Sequence, residues 1–132
     1  MSGNQQDVGG VWYGRWDAEQ PQVAPNRFIA MLEEQGGAIT GTISEPDADG
    51  GEGVLRALVR GERSGSSIAW VKQYDASGRL AHAVRYAGAV NADATEIRGR
   101  WHLKGLSGGF AMIREKFSEA ELETEEELLL PL

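Results

Sequence analysis

Apolar and polar side chains alternate along most of this chain with a period of two, in short runs that turn residues interrupt. In "AITGTISE", Ile39, Gly41 and Ile43 alternate with Thr40, Thr42 and Ser44. The first set therefore shares one face of a strand and carries Glu45 onto that face. The same parity groups Ile68, Trp70, Lys72 and Tyr74, then His82, Val84, Tyr86 and Gly88, then Ile97, Gly99 and Trp101, then Phe110, Met112 and Arg114. Eight strands follow: Val8–Trp16, Asn26–Glu34, Ala38–Glu45, Val54–Gly61, Ser67–Tyr74, Leu80–Val90, Glu96–Leu103 and Ser107–Arg114.

The connectors "EQGG", "PDADGGEG", "ERSGS", "DASG", "NADAT" and "KGLSG" are short and rich in Gly, Asp, Asn and Ser, which suits hairpins; "DAEQPQVAP" is longer. Consecutive strands on tight turns are antiparallel neighbours, and eight in a row lose their exposed edges by closing on themselves. The predicted fold is all-β, an eight-stranded antiparallel up-and-down barrel. Gly41, Gly88 and Gly99 on the inner face suit sharply bent strands or make room for large neighbours.

Charge changes how the ends of the chain are read. Of the formal −7, six glutamates lie in residues 118–132, which hold no Lys or Arg; the other 117 residues carry 14 acids against 13 bases. A nearly neutral body without a basic stripe argues against nucleic-acid binding. The tail "FSEAELETEEELLLPL" places Ser118 and Glu121 at capping-box spacing, with Phe117 and Leu122 as a hydrophobic staple. A short helix over about Glu119–Leu129, or an acidic solvated tail, is expected. The division expected is a flexible N-terminus over 1–7, a barrel over 8–116 and a tail over 117–132.

Cysteine is absent, and the two histidines, His82 and His102, have no metal-ligand spacing. No metal and no cofactor are expected. The first ten residues have neither a basic leader nor an apolar run, and no apolar stretch approaches the roughly 20 residues of a membrane helix. The expectation is a cytoplasmic, bacterial-style protein without a membrane partner.

The segments "GGVWYGRW", "GAITGTISE", "SSIAWVKQY", "RYAGAV" and "EIRGRW" follow one another much as strands do in the calycin superfamily. The chain is most similar to avidin and streptavidin within it, over about 105 residues. Lipocalins and fatty-acid-binding proteins share that plan. The resemblance implies a ligand inside the barrel and association through outer faces as a homodimer or homotetramer. It also implies that Trp12 stacks on Arg114 to close one end. Trp70 and Trp101 match inward tryptophans of avidins. Ile43, Val84, His82 and Tyr86, however, replace the tyrosine, threonine, serine and one tryptophan of the biotin site, and its late aspartate has no equivalent. Biotin is not the expected ligand.

Strand direction sorts the remaining candidates. Trp16, Glu45, Lys72, Tyr74 and Trp101 fall late in odd strands, and His82 falls early in an even one, so all gather at one end of the bore. With Trp70 and Tyr86 they make aromatic walls with a few convergent polar groups, as a small-molecule site requires. The expected function is non-catalytic binding of a small, partly apolar molecule. Two alternatives are an oligomeric scaffold whose interior its own side chains fill, and a small isomerase or cyclase with Glu45 or His82 as base. Ile29, Met31, Val71, Ala83 and Ile113 point outward and are available for assembly.

Overall fold

The computed structural model describes residues 7–46, 53–74 and 83–114. Eight strands run β1 (Gly10–Trp16), β2 (Asn26–Gln35), β3 (Ala38–Pro46), β4 (Val54–Ser64), β5 (Ser67–Tyr74), β6 (Ala83–Val90), β7 (Glu96–Leu103) and β8 (Leu106–Ile113). Each pairs antiparallel with its sequence neighbour, and β1 pairs with β8, so the sheet is a closed up-and-down barrel. The closing ladder joins Tyr13 to Ile113 and Trp16 to Phe110. Beyond the end of β1 the seam continues through backbone bonds from Asp17 to Gly109 and from Glu19 to Ser107.

Parity decides what fills the bore. Trp12, Phe28, Ile39, Ile43, Ile68, Trp70, Ile97, Phe110 and Met112 are all buried. The alternate residues face outward, among them Val11, Tyr13, Ile29, Met31, Leu58 and Ile113. Gly14 lies between Trp12 and Trp16 on the inner face, where a Cβ would fall 2.3 Å from the Phe28 ring. Gly88 and Gly99 face each other across β6 and β7, and a Cβ at Gly99 would stand 2.0 Å from the Ala87 carbonyl oxygen. At Gly99, then, the missing side chain admits the neighbouring backbone of a tightly coiled sheet; at Gly14 it admits a ring.

The two ends of the barrel differ because their connectors differ. At the lower end, Gly36 and Gly37 take positive φ in the β2–β3 turn, and Gly65 does so in the β4–β5 turn. The Asn91 side chain holds the β6–β7 turn by accepting from the backbone of Thr95 and Glu96. At the upper end lie residues 17–25 and the tight turn of Lys104 and Gly105. Strand β4 runs on to Ser64 because Glu62, Arg63 and Ser64 pair with Ala69, Ile68 and Ser67. Val8, expected in the first strand, precedes it but is fully buried. The expected tail helix over 119–129 and the start of the sixth strand at 80–82 lie outside the described residues.

Candidate functional site

The lower end is closed by side chains. Arg114 stacks its guanidinium 4.8 Å from the centroid of the Trp12 ring and donates through Nε to the Ala94 carbonyl at 2.8 Å. Its other nitrogens donate to the carbonyls of Gly9 and Asp7, which ties the segment before β1 to the β6–β7 turn. The Trp12 indole N–H donates to the Val8 carbonyl at 2.9 Å. The Val8 amide in turn donates to Glu34, which pairs with Arg63 at 3.0 Å. Each of these groups is held by another part of the fold.

Trp16 shares the inner face with Trp12 but stands four residues later, roughly 13 Å along the strand. It belongs to the upper end, where the only two buried acidic or basic side chains among the described residues also lie: Glu45, 3 % exposed, and Lys72, 2 % exposed. Parity puts them there, since each sits two positions beyond a buried apolar residue, Ile43 on β3 and Trp70 on β5. The Lys72 ammonium stands 3.4 Å from Glu45 Oε1 and donates to the Tyr74 hydroxyl at 3.0 Å. Tyr74 donates its own proton to Glu45, and the Trp16 indole N–H donates to the other carboxylate oxygen at 3.1 Å. Glu45 is thus a buried acceptor fed by three donors.

Burial sets the proton affinities here. It pushes the Lys72 ammonium below its ordinary value, a shift that the Glu45 charge and hydrogen bond oppose. It pushes the phenols of Tyr74 and Tyr86 well above theirs, and the negative Glu45 adds to both shifts. The neutral phenol is therefore the stable form at both tyrosines across the physiological range.

Above this network the described residues leave a recess in the bore. A recess of about 120 Å³ is walled by Trp16, Val84, Tyr86, Trp101 and Leu106, with Lys72 and Tyr74 also on its lining. Trp16 and Trp101 meet edge to face at 5.5 Å, and the Trp101 N–H is held by the Asp17 carbonyl at 2.7 Å. Tyr86 stacks on Trp70 at 5.2 Å, and both rings meet Phe110 edge on. Lys72 also lies 4.6 Å and 5.5 Å from the ring centroids of Tyr74 and Tyr86.

Of the residues singled out in the sequence, Trp16, Lys72, Tyr74, Tyr86 and Trp101 line the recess. Glu45 stands behind Lys72 and Tyr74 rather than on the wall. Trp70 lies deeper, packed under Tyr86 and Phe110, with its indole N–H buried and without a hydrogen-bond partner. His82 lies outside the described residues. Val23, Leu103 and Leu106 line the recess although nothing marked them beforehand. For Val23 the available signal was one branched apolar side chain in the otherwise polar "DAEQPQVAP".

A larger depression of about 710 Å³ lies on the outer wall beside Tyr13, Arg15, Arg27, Pro46 and Ile113, but neither Glu45 nor Lys72 lines it. Among the described residues no group of His, Asp and Glu is placed to hold a metal ion. No protein-family model matches the chain, and no curated protein does either.

Proposed function

We propose that the barrel binds a small, flat and largely apolar molecule at its upper end, with an acceptor atom turned towards Lys72. One observation carries the reading: among the described residues, buried apolar side chains line the bore below the Glu45–Lys72 pair, and a recess opens above it. An ammonium offers three protons, of which Glu45 and Tyr74 take two. The third is available to a carbonyl, carboxylate or hydroxyl oxygen in the recess. Trp16, Tyr86 and Trp101 supply ring faces and edges for an aromatic or conjugated body.

Size narrows the class. A cavity of roughly 150 Å³ accommodates a benzene ring, whereas drug-sized ligands need some 300 Å³ or more. A recess of about 120 Å³ falls short of both, so it suits the buried end of a flat compound whose remainder projects from the mouth. The barrel plan and the Trp12–Arg114 stack support a likeness to calycins. Ile43, Val84 and Tyr86, where avidins carry other side chains, weigh against biotin.

Native mass spectrometry of the purified protein, repeated under denaturing conditions, tests this reading. An excess mass at fixed stoichiometry, lost on denaturation, supports it and names the compound class. Failure of every small aromatic acid, aldehyde and alcohol in a panel to add mass to the native protein counts against it.

A second reading, assembly, rests on the outer wall. Val11 pairs with Met31, and Tyr13 pairs with both Ile29 and Ile113, so exposed apolar side chains are contiguous over β8, β1 and β2. Such a patch favours a contact between copies of the chain. Sedimentation of Met31→Glu beside the unaltered protein tests it: a multimer that the substitution splits supports assembly, and a monomer in both cases removes it.

A further inference from the structure

We infer that Lys72 is an amine nucleophile that captures a small aldehyde as an imine inside the barrel. The inference rests on the reading that the recess admits a small molecule, and goes beyond it by naming a reactive atom and a substrate class. Three observations carry it. Lys72 is the one buried cation among the described residues, yet it lines the recess rather than packing away from it. The walls around it are aromatic and aliphatic, so a carbonyl compound meets the amine in a largely dry setting. Tyr74 also lines the recess and is hydrogen-bonded to both Lys72 and Glu45, which makes it a relay between the amine and an acid.

A buried ion pair is also a costly way to fill space. Apolar side chains of similar volume at such positions commonly leave stability unchanged or raise it. The neighbouring inward positions on the same strand, Ile68 and Trp70, are apolar. A lysine at the boundary between packed core and recess is thus better explained by use than by packing. Burial favours its neutral form, which is the nucleophile.

The steps balance without any further reactant. One proton passes from Lys72 Nζ to Glu45 Oε1, which leaves a neutral amine beside a neutral acid. The nitrogen lone pair attacks the aldehyde carbon and forms the C–N bond while the carbonyl electron pair moves to oxygen. Tyr74 takes a proton from the nitrogen and passes its own to that oxygen, which completes the carbinolamine. Tyr74 then protonates the hydroxyl and recovers a proton from Glu45; the C–O bond breaks, water leaves and the nitrogen lone pair closes the C=N bond. The iminium inherits the ammonium's positive charge and its place beside the Glu45 carboxylate. No oxidation or reduction occurs, and added water reverses the sequence.

The experiment treats the full chain with benzaldehyde and sodium cyanoborohydride near neutral pH, followed by intact-mass measurement and peptide mapping. In parallel, benzyl alcohol, which matches benzaldehyde in size but forms no imine, is titrated against tryptophan fluorescence. The expected result is one benzyl group per chain, on Lys72 about tenfold faster than on Lys104 or Lys116, and suppressed by benzyl alcohol. Saturable binding of benzyl alcohol with labelling only at Lys104 and Lys116, or evenly at all three lysines, overturns the imine and leaves the binding site standing. No binding and no Lys72 label overturns both. Tyr74→Phe keeps the amine and removes the relay: labelling at Lys72 slows about tenfold while Lys104 is unaffected. An unchanged rate at Lys72 in that variant overturns the assignment.

Discussion

Removing one member of the Glu45–Lys72 pair is far more damaging than removing both, and the structure sets the size of the difference. At 3.4 Å and an effective dielectric of about 20, the two charges attract by about 5 kcal/mol, which roughly offsets the cost of taking both out of water. In Glu45→Gln the ammonium keeps its bond to Tyr74 but loses its counter-charge. It can escape only by shedding its proton, at a cost of about 5 kcal/mol at pH 7 for an ordinary lysine. The expected loss of stability is about 3–5 kcal/mol. In Lys72→Met the carboxylate keeps donors from Trp16 and Tyr74 but loses its counter-charge, and the expected loss is again about 3–5 kcal/mol. The double variant leaves no buried charge in this network and falls within about 1 kcal/mol of the unaltered protein. Urea unfolding at pH 7 reads all four proteins, because the four tryptophans are placed from one end of the barrel to the other. A double variant as unstable as the sum of the two single variants would refute the reasoning.

Arg114→Ala removes the stack on Trp12 and the bonds to three carbonyls, and lowers stability by about 2–4 kcal/mol in the same assay. An unchanged melting temperature contradicts that role. Gly99→Ala drives a Cβ into the Ala87 carbonyl oxygen and the Gly88 Cα, neither of which can yield, and costs about 3 kcal/mol or more. Gly53→Ala, with nothing within 4 Å of the added carbon, stays within about 1 kcal/mol of the parent. Alkaline pH acts through Tyr74 and Tyr86. Their folded values lie above the unfolded value near 10, so the folded protein holds protons that the unfolded chain releases, and stability falls as pH rises past 10. Lys72, shifted downward, acts with the opposite sign below its unfolded value of about 10.5 and does not reverse the fall beyond it. Phenolate absorbance read against pH shows the two tyrosines ionising together with unfolding, and the late step disappears in a Tyr74→Phe, Tyr86→Phe double variant.

The barrel was legible because its two determinants are local. Parity separates Ile39, Gly41 and Ile43 from Thr40, Thr42 and Ser44, and the turn residues Gly36, Gly37 and Gly105 take the positive φ that hairpins demand. The extension of β4 was not legible, since "ERSGS" reads as a turn until the pairing of Glu62, Arg63 and Ser64 with β5 is seen. Along the strands parity also placed Trp16, Glu45, Lys72 and Tyr74 on the inner face. Depth was harder to read: Trp70 and Lys72 share that face, yet one is packed beneath Tyr86 and the other lines the recess. The division depends on which strands stagger past which, and that is a property of the closed sheet. Val23 and Leu106 come to the recess from a loop and a turn edge, where no period exists to reveal them.

The central claim is that the upper end of the barrel holds receptive space rather than a packed core, and filling that space tests it most directly. Val84 lines the recess on β6, and Val84→Phe puts a ring into it. Thermal unfolding of both proteins is followed with and without benzyl alcohol. The account predicts that the alcohol raises the melting temperature of the unaltered protein by linkage to the folded state. It also predicts that Val84→Phe folds with undiminished stability and does not respond to the alcohol. An unaltered protein that shows no response, beside a Val84→Phe variant that loses stability from overpacking, would contradict it.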